Sequence, residues 1–544
     1  MFNLFIGALV VVLATGYAAD QTAHAEKIVG TREANSIQGT ERNDTIDARG
    51  GDDRVSGRGG NDTIRGQTGQ DRVQGDDGND VLKGNGGNDV LQGGGGDDEI
   101  DGGSGNDIIR GGLGSDVLRG QNGADTIRGD SGNDRIEGGP GPDKLTGGSG
   151  ADQFVYSKRE NKSDQILDFR TGQKDSLLLE GTLRGGALRF TPRGADTKVR
   201  VYTVQSGAFQ PLTVLKNTSV PIDVWYGNQQ EFGSPGEAQQ WVNILGRVAM
   251  KDITSLTYSL NGGAPLPLRP GPDGVRLQKL GDFNVELDYA ELDPSPANDV
   301  VRIEATYKDG QRFVETVTIE YEAGQSWPQT YAIKWSEVTN LQDVVQVVDG
   351  NWAFGDQGVR PAEPGYDRLL VMGDADWDSY TVRTTFVVKS WDSPVEGRAL
   401  WFGSQWGGHT DNPEAGEIPH VGYIPLTTFM IQNNVVVIRP SEFFEDGTNE
   451  MKGVTVDIVA GKKYNVLIRN QRVSAVTGPQ GSEIADRNYS IKIWPVGSPE
   501  PNGFLISATM TDQEAFGAFC IFPHYVDATI GDVTVRKIPA AAGS

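Results

Sequence analysis

Two hydrophobic periods divide the chain. Towards the N-terminus a single apolar residue recurs every ninth position: Ile46, Val55, Ile64, Val73, Leu82, Leu91, Ile100, Ile109, Leu118, Ile127, Ile136, Leu145 and Phe154. Almost everything between them is glycine or polar. Two residues before each stands an aspartate: Asp44, Asp53, Asp62, Asp71, Asp80, Asp89, Asp98, Asp107, Asp116, Asp125, Asp134, Asp143 and Asp152. Two residues before each aspartate, from Gly51 to Gly150, stands a glycine. A period of nine belongs to stacked repeat units, which bury their apolar faces against each other and not in a globular core. The x-D-x-U-x portion of each unit reads as a short strand with one inward aliphatic. The G-G-x-G portion reads as a turn that needs positive backbone dihedrals, which glycine adopts without a side-chain clash. Two units close one eighteen-residue coil, and the spacing predicts a flattened right-handed parallel β-roll.

After Ser219 the pattern changes to alternation. Glycine falls, and aromatic and β-branched residues rise. Between 220 and 330, runs such as "FNVELDYAEL" and "RFVETVTIEYEAG", punctuated by Asn261-Gly262 and Asp309-Gly310, predict short strands joined by hairpins. About 110 residues of this kind suggest an immunoglobulin-like sandwich. "SPGEAQQWVNIL" (234–245) is read as a short helix. Residues 331–544 hold seven of the ten tryptophans and longer strand-like runs, which suit a two-sheet jelly roll. The chain is thus expected to be all-β in three domains, at 36–219, 220–330 and 331–544.

Composition narrows the function. The formal net charge is −25, from 49 Lys+Arg against 74 Asp+Glu. This argues against a nucleic-acid partner, whose phosphates call for basic groups, and against docking on an anionic membrane face. The single cysteine, Cys520, excludes an intrachain disulfide and, in the apolar run "GAFCIFPHY", is expected to be buried. Residues 1–25 read as a secretory signal peptide, with an apolar stretch from Leu4 to Ala14 and a small-x-small site at Ala23-His24-Ala25. No Lys or Arg precedes that stretch, so an uncleaved anchor stays open. No other segment approaches membrane-spanning length, and no transmembrane domain is expected.

Coiling brings the aspartates into two columns. Asp44, Asp62, Asp80, Asp98, Asp116, Asp134 and Asp152 line one edge; Asp53, Asp71, Asp89, Asp107, Asp125 and Asp143 line the other. Neighbouring coils lie about 4.8 Å apart, the spacing of paired strands, and stacked carboxylates at that distance repel. One inward aliphatic per nine residues gives only a thin core. A cation between the turns answers both problems. Hard carboxylate and carbonyl oxygens in a flexible glycine frame suit Ca²⁺; Mg²⁺ demands a tight octahedron and keeps its waters. One ion between successive turns on each edge gives roughly eleven sites.

The stretches "GGNDTIRG", "GGSGNDIIRG" and "GDSGNDRIEG" resemble the G-G-x-G-x-D-x-U-x nonapeptide of RTX (hemolysin-type) calcium-binding proteins. The resemblance covers roughly Ile37 to Ser219 and implies a parallel β-roll with Ca²⁺ in its turns, disordered without the ion. Several units depart from the motif: Ala48 replaces the first glycine, and Glu41-Arg42, Gln67-Thr68, Asp76-Asp77 and Gln121-Asn122 interrupt the glycines. "SDQILDFRTGQKDSLLLEG" (163–181) resembles the segment that closes such rolls. Phe154, Ile166 and Phe169 are expected to cover the last coil. Asp164, Asp168 and Asp175 serve either as further ligands or as capping acceptors.

Two acidic or aromatic clusters elsewhere invite chemistry. Glu286, Asp288 and Glu291 in "ELDYAE" have the spacing of a glucanase motif, but alternation places Val285, Leu287 and Tyr289 inward and is expected to leave the acids solvated. In "LWFGSQWGGHTDNPEAGEIPHVGY", Trp401, Trp406, His409 and Asp411 are candidate ligand-binding groups, since tryptophan stacks on sugar faces and loops carry sites. His409, Asp411 and His420 form a weaker metal candidate. The order W-x-x-Y-T-V-x-x-x-F, Y-x-V-x-I and D-A-T-I-G-D-V-T-V over 331–544 resembles laminin-G / concanavalin A-like lectin and glucanase domains. That resemblance implies a carbohydrate- or protein-binding module.

No G-x-S-x-G, H-E-x-x-H or Walker-type loop is present, and no catalytic residue is assigned. The expected protein is non-enzymatic, secreted or on the cell surface, ordered by several Ca²⁺ ions, with extracellular polysaccharide or surface glycan as its partner. Two alternatives stand beside it: a glycoside hydrolase or polysaccharide lyase carrying an RTX module, and a purely structural surface or matrix protein.

Overall fold

A computed structural model describes residues 10–13 and 26–541, apart from 158–163, 171–174, 194–195, 217, 219, 235, 240, 274–275, 296, 329, 366–367, 375–376, 392–397, 407–426, 433–434, 440–451, 478–482 and 513–516. The fold is all-β, with a few single-turn 3₁₀ segments. The chain forms two compact units: 1–184 with 189–201 and 210–220, and 185–188 with 202–209 and 221–544.

The first unit is the parallel β-roll. Its strands alternate between two sheets, and each pairs in parallel with the strand eighteen residues on. Val55 stands beside Val73, Ile64 beside Leu82 and Ile109 beside Ile127. The ninefold aliphatics are sealed from solvent, from Ile46 to Phe154. Of residues 1–25, only Val10–Leu13 is described, as a strand parallel to Asn35–Gln38. Among the described residues no helix is long and apolar enough to cross a membrane.

The boundary between strand and turn lies elsewhere than the repeat suggests. Strands such as Arg54–Gly59 and Thr63–Thr68 begin after the aspartate and run through the first three G-G-x-G positions. The turn proper is the fourth glycine, the residue after it and the aspartate. That fourth position is invariant for a steric reason. At Gly69 φ is +134°, and a Cβ would lie 2.0 Å from the Gly51 carbonyl oxygen of the preceding coil. The second position also takes positive φ, and where glycine stands it is equally crowded, a Cβ on Gly94 lying 2.0 Å from the Asp76 carbonyl oxygen at φ +125°, but it admits a side chain at a smaller φ. Arg49, Arg58, Gln67, Asp76, Asn85, Gln121 and Asp130 occupy it at φ between +70° and +81°. Each such residue costs about 1 kcal/mol relative to glycine. The interruptions in the motif thus fall largely where strain is tolerable.

The roll closes as expected. Phe154, Ile166 and Phe169 are buried over the last coil, with the two phenylalanine rings 6.1 Å apart. Gln210–Leu215 adds in parallel to Asp164–Ile166 and turns the sheet antiparallel through Asp196–Tyr202.

The second unit holds two sandwiches. In the first, Ile222–Val224, Trp241–Val248 and Asp282–Asp288 form one sheet. Gln229–Phe232, Arg312–Tyr321, Asn298–Tyr307, Ile253–Leu260 and Leu266–Pro267 form the other. Gln229–Phe232 pairs in parallel with Arg312–Tyr321, so the segment 222–232 gives one strand to each sheet. Val242, Ile244, Phe283, Val285, Val301, Ile303 and Val317 fill the space between. The second sandwich stacks a nine-stranded sheet on a seven-stranded one. Its core includes Trp335, Tyr380, Phe386, Phe402, Phe429, Tyr489 and Cys520.

Two expectations fail here. The described residues of 234–245 form no helix: Trp241–Val248 is a strand, and Trp241–Arg247 pair residue by residue with Asp282–Asp288. Its helical spacing of apolar residues yields to seven paired ladder positions. Nor is Glu286 solvated. It is buried and ion-paired with the buried Arg276, which also approaches Asp349 at 3.8 Å; Arg368 holds Asp349 at 2.9 Å. Asp288 and Glu291 are exposed and form the capping box of a single 3₁₀ turn. The three acids therefore do not face one site.

Candidate metal centres

The sixth residue of each unit closes the turn with its side chain directed along the stack. Each aspartate Oδ1 accepts a hydrogen bond from the backbone N–H of the aspartate one coil earlier: Asp44 to Asp62, Asp53 to Asp71, and onward to Asp134 and Asp152, at 2.7–3.0 Å. The residue before the aspartate builds an outer ladder in the opposite direction. Asn61 Oδ1 accepts from the Asn79 N–H and Asn79 Oδ1 from the Asp97 N–H, each at 3.0 Å. Aspartate columns thus stand on both edges, with their members 0–2 % exposed.

The second carboxylate oxygen has a different fate. Oδ2 of Asp53, Asp62, Asp71, Asp80, Asp89, Asp98, Asp107, Asp116, Asp125, Asp134 and Asp152 is buried without a hydrogen-bond partner. A buried, unpartnered carboxylate oxygen carries a desolvation cost that only a cation or a proton removes. The surroundings are hard oxygen as well. A Cβ on Gly57 would lie 2.1 Å from Asp62 Oδ2 and 2.7 Å from the Gly75 carbonyl oxygen, and Gly75 and Gly93 repeat the arrangement with Asp80 and Asp98. Glycine at the first position therefore keeps a carboxylate and a carbonyl oxygen close together. Among the described residues no three His, Cys, Asp or Glu side chains converge on one point, so an ion in a column takes backbone carbonyls beside its carboxylates. This donor set fits Ca²⁺.

The electrostatics agree. Burial, with further contributions from neighbouring column carboxylates, pushes Asp62, Asp89, Asp98 and Asp134 up to about 7 and Asp53, Asp107, Asp116 and Asp125 up to about 6. Without a cation the columns compete for protons near neutral pH.

The ends of the columns differ from the middle. Asp44 commits both oxygens within the protein: Oδ1 accepts from the Glu26 N–H, Oδ2 from the Thr40 N–H and hydroxyl. Asn35 and Glu26 stand nine and eighteen residues before Asp44, in the same register. Asn35 donates its N–H to Asp53 Oδ1 and is satisfied without charge by Thr31 and Glu33. At the other end Asp164 accepts from the Asp143 N–H, Asp175 from Asp152 and Arg170, and Asp168 from Gly147 and Gly148. These three act as capping acceptors. The register continues through them although the spacing has grown to 21 and 23.

Of the C-terminal candidates, Trp401 is half-buried and packs against Phe522, with ring centroids 4.9 Å apart and the rings tilted by 38°. Trp406 ends the strand Ala399–Trp406. His409, Asp411 and His420 lie outside the described residues.

Residues 29–64, 56–91, 65–100, 83–118, 101–136 and 119–154 match the RTX calcium-binding nonapeptide repeat family. No curated protein matches the chain. Among solved structures, the AlgE6R3 subunit of the Azotobacter vinelandii mannuronan C5-epimerase is 32 % identical, over 21 % of this chain and 72 % of its own, with a TM-score of 0.18. The exoplasmic/lumenal domain of VIP36, in a Ca²⁺/Man3GlcNAc-bound form, is 9 % identical over 40 % of this chain and 91 % of its own, with a TM-score of 0.26. The carbohydrate recognition domain of Emp46p is 10 % identical over 39 % and 96 %, with a TM-score of 0.26. Calcium is the cofactor of the repeats, and residues 29–154 of this chain belong to the RTX calcium-binding nonapeptide repeats.

Proposed function

We propose that this chain is a secreted or cell-surface binding protein in which Ca²⁺ orders the roll and the C-terminal sandwich recognises extracellular glycan. The observation that carries the calcium half is the double column of buried, unpartnered aspartate Oδ2 atoms. The carboxylates of Asp53, Asp62, Asp71, Asp80, Asp89, Asp98, Asp107, Asp116, Asp125, Asp134, Asp143 and Asp152 are the ligands on this reading, and Asp44 contributes least. Calcium at the millimolar level found outside cells would fill such sites, whereas cytosolic calcium would leave them empty.

The glycan half rests on the strand pattern of 331–544, which resembles concanavalin A-like and laminin-G-like modules, and on the two-layer sandwich that those strands build. The catalytic alternative gains no support from "ELDYAE", since Glu286 is locked to Arg276 and its neighbours face solvent. The test is a glycan and polysaccharide array probed with the full chain in calcium. Capture of a defined glycan class is expected. Failure on every glycan, with a folded and calcium-loaded chain, favours the structural role.

A further inference from the structure

A cleft in the second unit belongs to none of the sites above. Its roughly 290 Å³ of space runs out into open solvent, and it is lined by Glu231, Phe232, Tyr289, Trp327, Gln342 and Gln346, among others. Trp327, Gln342 and Gln346 are 4–8 % exposed, and each brings a buried polar atom without a partner: the Trp327 indole Nε1–H, Gln342 Oε1 and Gln346 Oε1. The amide orientations are set by their other ends. Gln342 Nε2 donates to Gln230 Oε1 at 3.0 Å, and Gln346 Nε2 donates to the Trp241 carbonyl at 2.7 Å. Flipping either amide would break that bond, so two acceptors and one donor are left over on residues that line one small cleft, where the Tyr289 hydroxyl also stands close to the Gln346 side chain.

Leaving such atoms unmatched is costly, and native interiors seldom do so. Two acceptors with one donor match hydroxyl groups, each of which donates once and accepts twice. The innermost space admits about one water-sized group, which suits a hydroxyl or hydroxymethyl arm and excludes a whole ring. Tyr289 and Trp327 supply the apolar walls. Glu231, exposed on the lining, lies in the field of Asp343, Glu320 and Glu322, so the mouth is acidic.

We propose that this cleft binds a neutral, hydroxyl-rich ligand, a hexose unit whose hydroxymethyl or hydroxyl arm enters between Gln342, Gln346 and Trp327, and that its acidic mouth rejects uronic acids. The assignment rests on the glycan reading above and names the place and the charge class of the sugar.

The test uses the full chain in calcium, labelled with 5-fluorotryptophan. It carries ten tryptophans, and the resonance of Trp327 is identified by its loss in Trp327→Phe. Methyl α-mannoside, methyl β-glucoside and methyl β-glucuronide are titrated to about 50 mM, enough to see a millimolar site. The neutral glycosides should shift the Trp327 resonance saturably, with the glucuronide at least tenfold weaker. Gln346→Leu should weaken the neutral ligands at least tenfold. Glu231→Gln, at an exposed position, should bring the glucuronide within a few fold of the glucoside. A Trp327 signal unmoved by both neutral glycosides, or moved equally by the glucuronide, overturns the proposal. Capture on the array with that signal unmoved overturns the cleft alone; no capture and no shift overturn both readings.

Discussion

Raising the pH of the metal-free chain should unfold its roll. Eight column carboxyls are held two or more pH units above their ordinary 3.8: Asp53, Asp107, Asp116 and Asp125 at about 6, and Asp62, Asp89, Asp98 and Asp134 at about 7. Between 3.8 and these values the folded roll binds more protons than the unfolded chain does, so stability falls as pH rises through that interval and levels off above about 7. At about 1.36 kcal/mol per pH unit, each carboxyl at about 6 penalises the ionised roll by about 3 kcal/mol and each at about 7 by about 4 kcal/mol. All eight together reach about 30 kcal/mol, or about 10 kcal/mol after a threefold reduction for water reaching the turns. Even the reduced figure equals the whole stability of an ordinary domain, about 5–15 kcal/mol. Calcium reverses the sign, because it needs the ionised carboxylates and its binding releases protons. The assay is far-UV circular dichroism of the dialysed, metal-free chain between pH 4 and pH 8, repeated in millimolar calcium. The β-signal of the roll should fade between pH 5 and pH 7 without calcium and persist with it. A metal-free signal that is flat, or that grows with pH, would refute the electrostatic reasoning.

Three further outcomes follow from single positions. Gly69→Ala drives a Cβ into the Gly51 carbonyl at positive φ and should cost about 3 kcal/mol, whereas Gln67→Gly, at φ +81°, should stabilise the calcium-loaded roll by about 1 kcal/mol; calcium midpoints measured by dichroism compare the two. Asp98→Asn keeps the Oδ1 acceptor for the Asp80 N–H but removes a charged ligand, so bound calcium measured by equilibrium dialysis should drop by one or two ions, while Asp44→Asn should leave the count unchanged. Arg276→Met strands the buried Glu286 and should lower the stability of the second unit by about 3–5 kcal/mol in thermal denaturation; adding Glu286→Leu should recover most of it.

The central columns were legible because their chemistry repeats without exception in type and spacing. Of their ends, the closing segment was legible in Asp164, Asp168 and Asp175, but not which of two roles they take, because Asp164 and Asp175 sit at spacings of 21 and 23. The opening end was not, since Asn35 and Glu26 keep the register but change residue type. The outer ladder was written in the recurring Asn-Asp pair, as at Asn61-Asp62 and Asn79-Asp80, but its direction depends on how the coils stack. Glu286 escaped because alternation along one strand says nothing of what covers its other face, where Arg276, ten residues upstream, pairs with it and also donates to the Val348 carbonyl. The strand at Trp241–Val248 was hidden by a Ser-Pro-Gly opening and helix-like spacing, and only its pairing with Asp282–Asp288 decides the matter. Gln342 and Gln346 carry no sequence signal at all. They are ordinary polar residues whose meaning comes from burial.

The most direct measurement is the calcium content of the full chain, by elemental analysis after equilibrium dialysis, with its dichroism followed before and after chelator. On the order of eleven ions per chain, and a β-signal lost in chelator and regained on calcium return, are the expected results. A chain that holds no calcium and keeps an identical spectrum in chelator would contradict the account.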